Sequence, residues 1–185
     1  MKQPAFIHGA KVTLRALTMG DLSEAYLGWL NDPEILRYRA PKAFPSTQTG
    51  MEQYVVSLGR SNDLVLAICL KADGRHVGNI ALTQLLWVHR SAELSILLGD
   101  RNLHGQGIGR DAITALTRHA FDNMGLHRLW SESPNPAFNA IMRRLGWVDE
   151  GRKRKAFLLD GRYVDIECWS LLREDYSAQA GAATA

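Results

Sequence analysis

The sequence predicts a single α/β domain, a mixed and mostly antiparallel twisted sheet flanked by helices. Three observations predict it. Short apolar runs alternate with stretches of helical period in the order β-α-α-β-β-β-α-β-α-β-β, without internal repeats. Two pairs of runs are joined by hairpin signals, Ala72-Asp73-Gly74 and Asp160-Gly161, and such short connections imply antiparallel neighbours. A glycine-rich stretch, His104-Gly105-Gln106-Gly107-Ile108-Gly109-Arg110, lies between an apolar run and an apolar-periodic helix.

Taken in order, residues 11–17 alternate, with Val12, Leu14 and Ala16 set against Thr13 and Arg15, and read as a strand with one buried face. Thr18-Met19-Gly20-Asp21 reads as a capping box that starts a helix through Leu22, Tyr26, Trp29 and Leu30. Pro33 breaks it, residues 34–38 form a further helical turn, and residues 39–46, with Pro41 and Pro45, form a loop. A second helix covers residues 47–58 and closes at Gly59. Strands follow at 64–70, 76–88 and 92–98. After the glycines, Ile113, Leu116, Ala120, Phe121 and Met124 recur at helical spacing, with Gly125 as a left-handed cap. Residues 129–133 form a strand, Phe138, Ile141, Met142 and Leu145 mark one face of a short helix, and Trp147-Val148 resumes a strand. Residues 157–159 and 163–171 form the closing hairpin, and the small residues from 178 onward form a disordered tail.

A chain of 185 residues buries a substantial core without disulfides or metal. A net charge of +3 accommodates a nucleotide-like anion without demanding nucleic acid. Cys69 and Cys168 follow no metal-ligand spacing and read as small apolar residues of a reduced, cytoplasmic protein; no metal site is expected from the six histidines. No signal peptide is visible, and no run reaches the roughly 18 apolar residues of a membrane span. Trp87, Trp130 and Trp147 read as core aromatics.

Glycines at 105, 107 and 109 remove side chains that would hold an anion away from the main chain. They also permit the φ > 0 conformations that converge N–H groups on one point. The following helix adds its unpaired N–H groups and partial positive charge, and Arg110 a formal charge. The alternative is a glycine-rich turn that only joins a strand to a helix. A P-loop is excluded because Gly109 is followed by Arg110-Asp111 rather than Lys-Ser/Thr, and the position past mid-chain disfavours a dinucleotide fold.

His104-x-x-Gly107-x-Gly109 resembles the acyl-CoA loop of the GNAT superfamily of acetyl-CoA-dependent N-acyltransferases, with His104 replacing the family's Gln or Arg. Residues 90–100, with Glu93, resemble the family's fourth strand, and Asn135 followed by Gly146-Trp147 resembles the segment that closes over the cofactor arm. Gly151 and Tyr163-x-Asp165 are similar to the closing hairpin of the subgroup of ribosomal-protein alanine, spermidine and nucleotide-amino-sugar N-acetyltransferases. The resemblance covers residues 8–174, a GNAT-like domain, with residues 175–185 left as the tail. Residues 14–17 and 29–34 resemble the amino-sugar enzymes, which ranks a nucleotide-linked amino sugar first; residues 88–93 also resemble spermidine acetyltransferases.

The resemblance implies transfer of an acetyl group from acetyl-CoA to a primary amine by direct attack, with no metal. Backbone of Ile96, Leu97 and Leu98 would hold the thioester carbonyl and the pantetheine amides, and His104, Gly105, Gln106, Gly107, Ile108, Gly109 and Arg110 the pyrophosphate. Asn135 would hydrogen-bond the pantetheine arm or cap the next helix. Glu93 is a candidate base, directly or through water, or else a surface carboxylate paired with Arg90 or another strand; His89 is a second candidate. Two departures remove the usual acid: Met142 stands where many members carry Tyr, and Phe138 where the subgroup often has Ser. Arg152-Lys153-Arg154-Lys155 is a solvated strand end or a contact for the coenzyme's 3′-phosphate. Partners expected are acetyl-CoA and a small amine, a protein N-terminus or a polyamine among the alternatives, with no nucleic acid or membrane; a homodimer fits an edge strand near the closing hairpin. A binding module that keeps the acyl-CoA cradle without efficient catalysis is the competing class.

Overall fold

The computed structural model describes residues 3–39 and 44–182, and within them every strand and long helix read from the sequence is found. The elements are β1 (Ile7–His8), β2 (Val12–Ala16), α1 (Glu24–Trp29), α2 (Gln48–Leu58), β3 (Leu64–Leu70), β4 (His76–Leu86), β5 (Ser91–Leu98), α3 (Ile108–Asp122), β6 (Arg128–Ser133), α4 (Pro136–Arg144), β7 (Val148–Leu159), β8 (Arg162–Leu172) and α5 (Arg173–Ala182). The strands form one sheet in the order β1-β2-β3-β4-β5-β6-β8-β7. β5 and β6 run parallel, with Glu93 opposite Trp130, as their connection through α3 requires; β1–β2, β2–β3, β3–β4, β6–β8 and β7–β8 are antiparallel.

Contacts divide the chain into two compact units, residues 1–83 with 95–116, and residues 84–94 with 117–185. β4, β5 and α3 run from one into the other. In the first unit the apolar alternation of β2 buries Val12 and Leu14 completely, and Leu66, Ile68, Ile80 and Leu82 join the same interior. In the second, Leu94, Phe121, Leu126, Leu129, Met142 and Trp169 are the largest fully buried side chains among the described residues. Gly125, at φ 69°, ends α3 as read, with the Leu126 N–H donating to Ala120 at 3.0 Å.

Four readings are corrected. The Thr18 capping box exists, but it closes a 3-10 turn, Met19–Asp21; α1 starts afresh at Ser23, whose hydroxyl accepts from Tyr26. Asp21 is drawn into an ion pair with Arg15 at 2.6 Å, which holds the turn to β2 and stops the helix from running through. The expected tail is helical as far as Ala182, because the Asp175 carboxylate accepts from the N–H of Leu172 and Tyr176 stacks on Phe121 and donates to Asp122 at 3.0 Å. Residues 183–185, and residues 40–43 of the proline loop, lie outside the described residues. β7 is one strand of 12 residues rather than two short pieces; its sides are exposed, so burial leaves no alternation to read, and pairing with β8 defines it. Trp87 is 53% exposed at the tip of the β4–β5 hairpin, whereas Trp147 is buried.

Candidate functional site

The first unit assembles the glycine loop and the strand end before it. The register of β5 with β6 covers only Ser91–Glu93, so Ile96, Leu97 and Leu98 lie beyond it. On the β4 side, Gly99 donates its N–H to Val77 at 2.8 Å. Gly99 itself is required by packing: a Cβ there would run into the indole of Trp29, which seats α1 on the strand end. Trp29, Tyr26 and His76 form an aromatic group with ring centroids 5.2 to 5.7 Å apart. Burial pushes the Tyr26 phenol up to about 12, so it stays neutral and structural near neutral pH.

Asp100 then starts the turn into the loop. Its carboxylate accepts from the Asn102 N–H at 3.0 Å and is gripped by Arg75 at 2.5 Å; the Arg75 guanidinium holds the carboxyl below the usual range. The ring of His104 meets the Leu98 carbonyl at 3.2 Å, which ties the loop back to β5. Gly105 and Gly107 adopt φ of 77° and 80°, a conformation that side chains resist. Gly109 corrects the three-glycine reading: it lies inside α3 with no positive φ, so only two glycines turn the chain.

The consequence is a row of open donors. The N–H groups of Gly107, Ile108, Gly109 and Arg110 donate to no acceptor among the described residues, and the next one, Asp111, begins the helical pattern on the Gly107 carbonyl at 3.0 Å. These are the four orphan donors of a helix start, carrying its partial positive charge. Ile108 is buried, while Gln106 and Arg110 are exposed around them.

Two cations in this unit were not singled out from sequence. Arg39 donates to the Ile96 carbonyl at 2.7 Å, and Lys11 to the Gln106 carbonyl at 2.8 Å. Their partners are 57 and 95 residues away, so no local pattern could have found them. The same unit has a cavity of about 630 Å³ lined by Trp29, Asp32, Ile35, His76, Gly99 and Asp100 among others. Asp32 spends one oxygen on the N–H of Glu34 at 2.8 Å, as Asp100 does on Arg75.

The second unit holds the other predicted residues. Glu93 is half-buried on β5 and accepts from Gln84 of β4 at 2.9 Å, a partner on a neighbouring strand rather than Arg90. His89 is exposed in the hairpin turn, its N–H on the Leu86 carbonyl. Asn135 caps α4, its oxygen accepting from the Ala137 N–H at 2.9 Å. Met142 is fully buried and Phe138 half-buried. Met142 has no proton to give, and its position is core. In the basic run, Lys153 is paired with Glu132 at 2.5 Å. Among the described residues no cluster of His, Cys, Asp and Glu is placed to hold a metal, and no helix is long and apolar enough to cross a membrane.

A family model described as an acetyltransferase (GNAT) domain matches residues 11–148. The chain belongs to the GNAT acetyltransferases. Membership makes it an acetyl-CoA-dependent N-acetyltransferase, in agreement with the resemblance carried by the loop. It is 26% identical over 169 residues to a spermidine N(1)-acetyltransferase of Vibrio cholerae serotype O1, covering 90% of this chain and 96% of that one. An uncharacterized N-acetyltransferase, p20, of Bacillus licheniformis is 24% identical, with 92% and 98% covered. Among solved structures, the spermidine N-acetyltransferase of Vibrio cholerae in complex with CoA and spermine superposes with a TM-score of 0.81, at 24% identity and with 91% and 99% covered, which shows the GNAT fold. These relatives give no support to the nucleotide-linked amino sugar ranked first from sequence; the polyamine alternative fits their names.

Proposed function

We propose that this GNAT enzyme transfers the acetyl group of acetyl-CoA to a primary amine of a polyamine by direct attack. The observation that carries the donor half is the row of four N–H groups, Gly107 to Arg110, without an acceptor among the described residues at the start of α3. The coenzyme's pyrophosphate accepts from them, and Gly105 and Gly107 keep the approach clear. Ile96, Leu97 and Leu98 offer backbone to the pantetheine amides as an added strand would, and an N–H there stabilises the thioester oxygen as charge develops on it. The neutral amine nitrogen bonds to the carbonyl carbon, the C–S bond breaks, CoA leaves as thiolate, and the proton the nitrogen sheds on becoming an amide goes to that thiolate.

Glu93 takes the proton of the substrate ammonium, directly or through water, and His89 is the second candidate for that task. For Asn135 the two roles are compatible: the oxygen caps α4, and the amide N–H groups donate to the pantetheine arm. The acceptor rests on the names of the relatives, among them a spermidine N(1)-acetyltransferase matched over 169 residues. A cytoplasmic location and a homodimer using β7, which ends the strand order, belong to the same reading.

The test is CoA release measured with spermidine, peptides bearing a free N-terminus and a nucleotide-linked amino sugar. Turnover is expected with spermidine. Binding of acetyl-CoA with no turnover on any amine would establish the binding-module alternative instead. Glu93→Gln lowers kcat on the order of a hundredfold if it is the base; a loss below threefold removes that role.

A further inference from the structure

The cation nearest the turning point of the glycine loop is absent from the loop's own sequence. Lys11 lies in the turn that joins β1 to β2, and the fold delivers it through Asp111. That aspartate stands in the first turn of α3, where a free carboxylate would oppose an incoming anion. Instead it accepts the N–H groups of three consecutive residues, Ala10 at 2.8 Å, Lys11 at 2.7 Å and Val12 at 3.0 Å. Successive N–H groups converging on one oxyanion form a nest, and here the anion in the nest is a side chain of the protein itself. Gly9 makes the approach feasible, since a Cβ there would collide with the Asp111 carboxylate.

The clamp determines where the Lys11 side chain goes. Its ammonium donates to the Gln106 carbonyl at 2.8 Å. A Cβ built on Gly107 would lie 3.8 Å from that nitrogen and 3.9 Å from a guanidinium nitrogen of Arg110, so two cations flank one glycine whose N–H is open. Neither Lys11 nor Arg110 has a carboxylate partner among the described residues. An ammonium carries three donors, and Gln106 uses one. Like charges so placed repel each other, and an anion between them relieves the repulsion.

We propose that Lys11 is a phosphate-binding residue of the acetyl-CoA site, and that Asp111 is the positioning residue that holds it over the loop. The proposal rests on the donor reading above and extends it to a residue outside the glycine motif. Lys11 donates to the pyrophosphate in addition to the main-chain N–H groups. Asp111, engaged by the three N–H groups of the nest, opposes the same ligand less than a free carboxylate would.

The experiment compares two acetyl donors on the full chain: acetyl-CoA, and S-acetylpantetheine, which keeps the thioester arm and lacks the phosphates. Lys11→Met is expected to raise KM for acetyl-CoA roughly tenfold and to leave KM for S-acetylpantetheine unchanged. Lys11→Arg retains most of the acetyl-CoA affinity. Asp111→Asn raises KM for acetyl-CoA in the same direction by a smaller factor and leaves S-acetylpantetheine unaffected. An unchanged KM for acetyl-CoA in Lys11→Met, or an equal rise for both donors, overturns the proposal. Calorimetry on the unaltered protein separates the two levels: no acetyl-CoA binding defeats the donor reading itself, while wild-type binding with an indifferent Lys11→Met defeats only the role of Lys11.

Discussion

Two helix starts in this chain follow different sequence signals, glycines before α3 and Asn135-Pro136 before α4, and are built in opposite ways. At α4, Asn135 turns its own oxygen onto the Ala137 N–H, and Pro136 occupies the first helical position, where a missing N–H costs nothing. At α3, glycines lead in, the first-turn aspartate is engaged by residues 10–12, and four N–H groups are left without an acceptor among the described residues. Both ends carry the same backbone chemistry. One is closed by its own side chain and is complete as structure; the other leaves its first N–H groups for water or a ligand to accept from.

The difference predicts a hierarchy of effects. Gly107→Val should be the most damaging to the ligand, raising the dissociation constant of acetyl-CoA about a hundredfold, because a branched side chain at φ 80° both shifts the loop and fills the approach. Isothermal titration measures it, and unchanged affinity would mean that the open donors are not the donor site. Next, Asp111→Asn should cost stability of about 1.5–3 kcal/mol in denaturant unfolding, since hydrogen bonds to a charged acceptor are lost from the nest. A change within experimental error would show that the β1–β2 turn holds its place without the clamp.

The closed end is tested by a pair of variants. Asn135→Ala should lower stability by about 1 kcal/mol through loss of the cap, whereas Asn135→Asp keeps the cap oxygen and should leave stability near wild type. If Asn135→Asp nonetheless raises KM for acetyl-CoA, the amide N–H groups also serve the coenzyme, and the contrast between the two ends is one of degree. The smallest expected effect concerns a third start, the turn at Met19–Asp21, closed by its capping box. Burial pushes the Asp21 carboxyl up, but Arg15 and the hydrogen bonds from Thr18 outweigh it and hold it below the usual range. A carboxyl depressed in the folded state contributes stability above its unfolded pKa and loses it as pH falls through the folded value. Stability should therefore decline on acidification below about pH 4, and Asp21→Asn should flatten that limb of the pH–stability curve while lowering the plateau above it.

Much of this architecture was legible before any coordinates. The expected bounds of β3 match to the residue, and those of α2 and of the β3–β4 hairpin within two residues, because apolar runs and Asp-Gly turns are local signals. Local signals also misled. Thr18 and Asp21 do form a capping box, yet the Arg15 pair ends the turn after three residues. α5 was missed since its composition is that of a tail, and what holds it is Phe121 and Asp122, more than fifty residues earlier. β7 has both sides exposed, so no hydrophobic period marks its middle.

By itself the sequence determined the sheet's hairpins, the family resemblance and the place of the glycine loop, because backbone freedom at Gly105 and Gly107 and the helical period after them are properties of adjacent residues. Only the tertiary structure decided which of the glycines turn the chain, that Asn135 spends its oxygen on a cap, and that Arg39 and Lys11 meet β5 and the loop. The last two outcomes, for Arg39 and Lys11, depend on partners brought together across 57 and 95 residues, and an N–H group is open or closed according to whatever acceptor the fold places in front of it.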